Sequence, residues 1–109
     1  MQNTCIETEY NEASKSLTLK LAGEIDHHSA PPLREEADRE LSRKRPKTLV
    51  IDLNGVTFLD SAGLGYILGR YGKAQALGAE TEVTGASEQV HKILRLAGAD
   101  KLIKISLRG

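Results

Sequence analysis

The feature that most constrains the fold is a strand-like segment followed closely by a glycine-rich helix start. Residues 49–53 read Leu-Val-Ile-Asp-Leu, a nearly continuous apolar run typical of a central strand buried on both faces. Residues 60–65 read Asp-Ser-Ala-Gly-Leu-Gly, and apolar side chains recur at helical spacing from Leu64 to Leu77. A serine placed between an acid and two glycines at the start of a helix predicts an exposed hydroxyl on a rigid platform.

The chain as a whole alternates between strand-like and helix-like segments. Residues 4–10 and 16–21 alternate apolar and polar side chains around a polar turn, so they predict an opening antiparallel hairpin. Further strands are expected at residues 80–84 and 102–105, and further helices at residues 30–44 and 87–97, with Ser29 and Ser87 as N-caps. This order predicts an α/β fold, a mixed sheet of about four or five strands with three main helices, in one domain over residues 1–109.

Two loops are expected to meet at one edge of this sheet. Residues 23–29 leave the second strand as a loop. Residues 54–65 form the next such connection, with a turn at residues 54–55 and with Phe58 and Leu59 anchored in the core. Because the connections that follow parallel strands gather at the same edge of a sheet, we expect these two loops to be spatial neighbours.

The composition narrows the classes of partner. Lys and Arg number 15, as do Asp and Glu, so the net charge is 0 and favours neither nucleic acid nor an anionic membrane as a partner. The lone Cys5 excludes an internal disulfide, and no apolar run approaches the roughly 18 residues of a membrane span. Since the N-terminus has no signal-peptide pattern, we expect a cytoplasmic protein.

Three chemistries use a serine placed like Ser61. A nucleophile would need the Gly-x-Ser-x-Gly pattern, but Leu59 occupies the first glycine position, although His27 and His28 offer a base across the sheet edge. A phosphate cradle would need a Gly-Lys-Ser/Thr ending or a third glycine, and Leu68 stands where that glycine belongs. A phosphate acceptor needs only an exposed position on a protein-binding face.

A metal site would draw on Asp26, His27, His28 and Asp60. Two adjacent histidines in a loop are expected to point apart, which makes joint ligation awkward. We therefore expect surface histidines, no bound metal and no cofactor.

Two motifs carry a family resemblance. Residues 23–28 read Gly-Glu-Ile-Asp-His-His and residues 58–65 read Phe-Leu-Asp-Ser-Ala-Gly-Leu-Gly, with residues 50–53 and 67–71 in support. Together they resemble the anti-sigma factor antagonists of the STAS family, in particular the sporulation-type antagonist of endospore-forming bacteria. The resemblance extends over nearly the whole chain, in order and at matching spacing.

The resemblance implies an STAS fold and a role in partner switching. In this family the unphosphorylated antagonist binds an anti-sigma factor that is also a serine kinase, and this binding releases a sigma factor. The kinase, which holds the ATP and Mg²⁺, phosphorylates the motif serine, here Ser61, and thereby inactivates the antagonist. A separate serine phosphatase restores it. The chain itself is then not an enzyme and needs no cofactor.

The resemblance also implies which residues form the partner-binding face. Asp60 would position the serine, Gly63 and Gly65 would let the kinase backbone approach, and the other contacts would come from Asp26, Ser61, Ala62, Leu64 and Arg70. Arg70 is expected opposite the apolar face of its helix. The alternatives are an STAS domain of another circuit such as the stress response, a domain of a larger regulator or anion transporter, and a small esterase.

Overall fold

The structure is a computed structural model that describes residues 4–108 and contains a five-stranded mixed sheet. The strands are β1 (Cys5–Asn11), β2 (Ser16–Ile25), β3 (Thr48–Leu59), β4 (Glu80–Ala86) and β5 (Lys104–Leu107). The helices are α1 (Ala30–Lys44), α2 (Ser61–Ala76) and α3 (Glu88–Leu96), followed by a short 3-10 helix (Ala99–Lys101). The strands lie in sequence order, with β1 antiparallel to β2 and all later pairs parallel. The predicted α/β fold and its opening hairpin are therefore confirmed.

The hydrophobic core lies on one face of the sheet. Leu17 of β2, Leu49 of β3 and their neighbours two residues on are fully buried, and the register pairs Leu19 with Ile51 and Ile51 with Val83. Val50, which points to the opposite face, is only half-buried. The expectation that the central strand is buried on both faces is wrong, because the helices supply their buried side chains to a single core.

The second and third strands are longer than predicted. β2 continues through Ile25, where a loop was expected, and β3 continues to Leu59 through the turn expected at residues 54–55. A β-bulge accommodates these polar residues, because β3 advances from Asp52 to Gly55 while β2 advances only two residues. Phe58 is not anchored in the core, since 39% of it is exposed.

Gly55 is required where β3 passes the bulge. A Cβ atom at this position would lie 2.8 Å from the Cβ atom of Ala22 on β2. Two nonbonded carbon atoms cannot approach that closely, so the strand tolerates only glycine here without a shift. The glycine that suggested a turn in the sequence instead allows the two strands to stay paired.

The helix starts show one cap as predicted and one that differs. Ser87 caps α3, since its hydroxyl accepts a hydrogen bond from the Val90 amide at 3.1 Å. Ser29 occupies the N-cap position of α1, but its hydroxyl donates to the Glu24 carbonyl at 3.1 Å and accepts from the Asp26 amide. Ser29 therefore braces the loop before α1 rather than capping the helix. Among residues 4–108, no helix is both long and apolar enough to cross a membrane.

Candidate protein-binding site

The two sheet-edge loops meet at the first turn of α2, as predicted. The backbone amide of Asp60 donates to the carbonyl of Ile25 at 3.3 Å. Its carboxylate caps the helix, because Oδ1 accepts from the Gly63 amide at 2.9 Å and Oδ2 accepts from the His27 amide at 3.2 Å. Asp60 thus ties the start of α2 to the loop that follows β2, and it holds the position of the residue after it.

The carboxylate of Asp60 is ionised over a wide range of pH. The Gly63 amide is the main cause of its lowered pKa, and the amides of His27 and Ala62 act in the same direction. Desolvation opposes this shift but does not outweigh it. The start of α2 therefore carries a fixed negative charge beside Ser61.

Ser61 is exposed on the first turn of α2, as predicted. Its neighbour Ala62 is half-buried, and Leu64 is half-buried against the core. The structure thus places Leu64 at the boundary between the core and the surface. Ser61, the only serine of the motif, therefore has a hydroxyl group that is accessible to an enzyme.

The two glycines of the motif have different surroundings. A Cβ atom on Gly63 would lie 2.2 Å from the carbonyl oxygen of Ile25, so this glycine permits close packing of α2 on β2. The expectation that Gly63 admits the backbone of a partner is wrong, because Gly63 is buried. Gly65 is exposed, and among residues 4–108 no atom outside its chain neighbours and the adjacent helix backbone lies within 4 Å of where its Cβ atom would be.

Asp26 organises the neighbouring loop. Its Oδ1 accepts hydrogen bonds from the amides of His28 at 2.9 Å and Ser29 at 3.0 Å. The Ser29 amide is the main cause of the lowered pKa of this carboxyl, so Asp26 is a second ionised group at the same edge. Whether it contacts a partner remains a prediction.

The adjacent histidines do not point apart, contrary to expectation. The ring centroids of His27 and His28 lie 4.1 Å apart with a tilt of 39°, because the turn after β2 brings the two side chains together. His27 Nδ1 is 3.6 Å from Asp60 Oδ2. Within residues 4–108, no group of three or more His, Cys, Asp or Glu side chains is arranged to hold a metal ion.

Arg70 is buried, and the expectation that it lies opposite the apolar face of α2 is wrong. Only 6% of it is exposed, and its Nε lies 2.8 Å from Asp38 Oδ1 on α1. Its guanidinium carbon also lies 5.2 Å from the centre of the Tyr66 ring. Desolvation is the main cause of its lowered pKa. The contact with α1 therefore buries a side of α2 that the apolar pattern had assigned to solvent.

Sequence reasoning missed Tyr66. This side chain is 4% exposed and precedes Arg70 by one helical turn, while the apolar side chains of Leu68 and Tyr71 on the same helix are only half-buried. A signal existed, since Tyr66 and Arg70 have the i, i+4 spacing of side chains that contact on a helix. Nothing in that spacing indicated that α1 covers them.

Comparison with known proteins supports the family resemblance of the two motifs. The sequence model described as the STAS domain matches residues 7–108. The anti-sigma F factor antagonist of Paenibacillus polymyxa is 35% identical over 103 residues, which cover 94% of this chain and 86% of that protein. The anti-sigma-B factor antagonist of Bacillus subtilis (strain 168) is 29% identical over 106 residues, 97% of this chain and 94% of that protein.

A solved structure agrees in fold and in sequence. The crystal structure of an anti-sigma factor antagonist from Mycobacterium paratuberculosis superposes with a TM-score of 0.84 at 26% identity. The match covers 95% of this chain and 86% of that one. The family resemblance predicted from the two motifs is confirmed.

Proposed function

Since the chain belongs to the STAS domain family, we propose that it is an anti-sigma factor antagonist that binds an anti-sigma factor and so releases a sigma factor. Relatives of that name, such as the Paenibacillus polymyxa protein at 35% identity, support this function. The chain acts by binding rather than by catalysis and has no cofactor of its own. It works in the cytoplasm and contacts neither nucleic acid nor a membrane.

The observation that carries the proposal is the exposed hydroxyl of Ser61 on a helix start fixed by Asp60. The anti-sigma factor is also a serine kinase, which holds ATP and Mg²⁺ and transfers one phosphoryl group to Ser61. A serine phosphatase removes it. The partner-binding face comprises the exposed and half-buried residues around this serine: Asp26, Asp60, Ser61, Ala62, Leu64 and Gly65. Gly63 and Arg70 support that face from within the fold.

Electrostatics explain why phosphorylation switches the protein off. A phosphoserine carries roughly −1.5 to −2 charges at neutral pH. At Ser61 this charge lies beside the ionised carboxylate of Asp60 and at the same sheet edge as Asp26. The helix start tolerates an added anion, but a partner that covers the face must bury these like charges together. Phosphorylation therefore blocks the interface locally and leaves the fold unchanged.

Phosphate mapping tests the proposal. The chain is incubated with each candidate anti-sigma kinase and Mg-ATP, and intact mass and tandem mass spectrometry follow. We expect one phosphoryl group, located on Ser61, and none on Ser61→Ala. Ser42→Ala is the matched control, because Ser42 is exposed near the far end of α1. Phosphate on Ser29 or Ser87, or no phosphorylation by any candidate, contradicts the proposal.

A second candidate is the same mechanism in a stress-response circuit. The relative that favours it is the anti-sigma-B factor antagonist of Bacillus subtilis, which is 29% identical and matches 97% of this chain. The two circuits differ in the anti-sigma factor that is bound. Calorimetric titration against an anti-sigma F factor and an anti-sigma-B factor separates them, because only the cognate factor should bind tightly.

A further inference from the structure

The two adjacent histidines of the loop after β2 border different grooves, although their ring centroids lie only 4.1 Å apart. His27 lines the groove between α1 and α2 together with Ala62, the residue that follows Ser61. His28 lines a groove between β1 and α1 together with Cys5. Of the two histidines, His27 is therefore the one on the side of the proposed phosphorylation site.

His27 has a fixed backbone and a side chain that is available to a new partner. Its backbone amide donates to Asp60 Oδ2 at 3.2 Å, which holds the residue beside the start of α2. Its ring is held less tightly, since Nδ1 lies 3.6 Å from the same oxygen, beyond hydrogen-bond distance, and 72% of the side chain is exposed. The imidazole can therefore turn towards an acceptor at residue 61 without any change in the backbone.

The backbone amides of the first turn of α2 are already engaged by Asp60. Its Oδ1 accepts from the Gly63 amide at 2.9 Å, and the amides of Gly63 and Ala62 both lower the pKa of this carboxyl. The Leu64 amide donates to the Asp60 carbonyl at 2.9 Å. A phosphoryl group on Ser61 would gain from the helix dipole, but it needs hydrogen-bond donors from outside this turn.

The charges at this edge favour a cation beside a phosphorylated Ser61. Asp26 and Asp60 are both ionised, since the amides of Ser29 and Gly63, respectively, are the main causes of their lowered pKa values. A phosphoserine adds roughly −1.5 to −2 charges at neutral pH to this pair of carboxylates. A positive group that neutralises part of the total charge would let the folded chain accept the modification.

We propose that His27 is the counter-ion of a phosphoryl group on Ser61 within the same chain. Its imidazolium donates a hydrogen bond to a phosphate oxygen, and the proton that it carries comes from solvent. One imidazolium does not cancel a phosphate and two carboxylates, so the face stays negative and the partner remains excluded. This inference rests on the proposed function for the modification of Ser61, and it adds the residue that holds the phosphate.

The pairing couples two proton equilibria. Histidine side chains change charge between about pH 5 and 8, and the second ionisation of a phosphoserine, at about pH 6, falls in the same range. An imidazolium favours the dianionic phosphate, and the dianion favours the imidazolium. In the phosphorylated chain the phosphate should therefore titrate at lower pH, and the His27 imidazole at higher pH, than either would without the other. The charged and titratable groups around His27 are Asp26 and His28 of its own loop, Asp60 and Arg70 of α2, and Arg34 of α1.

Phosphorus NMR tests the pairing without any kinase. Phosphoserine is incorporated at position 61 of the full chain by genetic code expansion, and its ³¹P resonance is followed from about pH 5 to 8. We expect His27→Gln to move the midpoint of the phosphate titration to higher pH, and His27→Lys, which keeps a positive charge, to keep the midpoint low. His28→Gln is the matched control and should leave the midpoint unchanged. An unchanged midpoint in His27→Gln, or an equal shift in His28→Gln, overturns the proposal.

Arg34 is the alternative cation, because it is exposed and lines the same groove as His27 and Ala62. A midpoint that moves in Arg34→Gln but not in His27→Gln would assign the phosphate to Arg34 and overturn the proposal. Proton–carbon NMR of the rings supplies a second readout. The His27 ring should titrate at higher pH in the phosphorylated chain than in the unmodified chain, with a smaller change for His28, and equal titration of His27 in the two forms contradicts the pairing.

The two proposals fail in different ways. If an anti-sigma kinase phosphorylates Ser61 but the phosphate titrates alike with and without His27, the counter-ion is wrong and the switch stands. If the phosphate at position 61 is coupled to His27 but no candidate kinase phosphorylates Ser61, the counter-ion stands and the proposed phosphorylation is wrong.

Discussion

Gly63 and Gly65 lie two residues apart in the first turns of α2, yet they serve different purposes. A side chain on Gly63 would collide with the Ile25 carbonyl. Within the described residues 4–108, a Cβ atom on Gly65 would have no atom within 4 Å apart from its chain neighbours and the adjacent helix backbone. The first glycine lets the helix dock on β2, and the second leaves an open surface. The comparison teaches that packing within the fold constrains the residues on the inner side of α2. The residues on its outer side are available to contact a partner.

Among the variants that test this comparison, Gly63→Ala should lower the stability of the protein the most. Its Cβ atom would lie 2.2 Å from a backbone oxygen that strand pairing holds in place, so α2 must move away from β2. We expect a loss of about 3 kcal/mol or more, at or above the usual cost of overpacking. Urea denaturation of Gly63→Ala and of Gly65→Ala measures this loss as the difference in their unfolding free energies. Equal unfolding free energies for the two variants would contradict the packing role of Gly63.

Alanine at Arg70 tests whether the inner side of α2 includes this charged residue. The substitution leaves the Asp38 carboxylate without the guanidinium that lies 2.8 Å away. Because Asp38 keeps 28% of its side chain exposed, we expect a loss of about 1.5–3 kcal/mol, below that of a fully buried pair. A double-mutant cycle with Asp38→Ala isolates the pair, and Arg34→Ala is the exposed control. An unchanged unfolding free energy for Arg70→Ala would place Arg70 on the outer side.

Gly69→Ala should change stability in the opposite direction and make the protein more stable. Because this helical glycine faces open space, the substitution should stabilise the protein by about 0.8–1 kcal/mol. Thermal or urea unfolding of Gly69→Ala measures the gain, with Gly72→Ala as the reference for the same change at another exposed glycine of α2. If Gly69→Ala is destabilised and Gly72→Ala is not, Gly69 has a packing role and its surroundings are not open.

An acidic residue at Ser61 should have the smallest effect on stability and a clear effect on binding. The added charge lies at the positive end of the α2 dipole, so Ser61→Asp should gain about 0.3–1 kcal/mol with unchanged circular dichroism. Affinity for the ADP-loaded kinase should fall, though less than for the phosphorylated protein, because Asp carries less charge. Ser61→Ala should bind and escape inactivation. Equal affinity of the phosphorylated and unmodified forms contradicts the switch, and a large spectral change contradicts a local block.

Local sequence patterns predicted the features of the site whose structure is determined by residues close to them in sequence. The exposure of Ser61 follows from a serine placed between an acid and two glycines at the start of a helical repeat. The meeting of the two loops follows from the rule that parallel strands end at one edge of a sheet. These features required no knowledge of distant contacts.

The ends of β2 and β3 were predicted less well, because strand pairing extends past the apolar pattern. Residues 23–25 and 54–59 continue the ladder through a bulge, and Gly55 fits only because Ala22 lies against it. Backbone hydrogen bonds between strands depend on a partner strand rather than on the local side chains. A glycine beside an asparagine therefore looked like a turn when it was part of a strand.

The sequence by itself determined the order of strands and helices, the family motifs, and the position of Ser61 at the start of a helix. Only the tertiary structure decided which side of α2 is buried, because Asp38 of α1 draws in Arg70 and Tyr66 packs beside it. It also decided that Gly63 is packed against β2 while Gly65 is open, although the two residues are chemically identical and two positions apart. Periodicity records the average polarity of a helix face, whereas the burial of one charged side chain depends on a counter-charge far away in the chain.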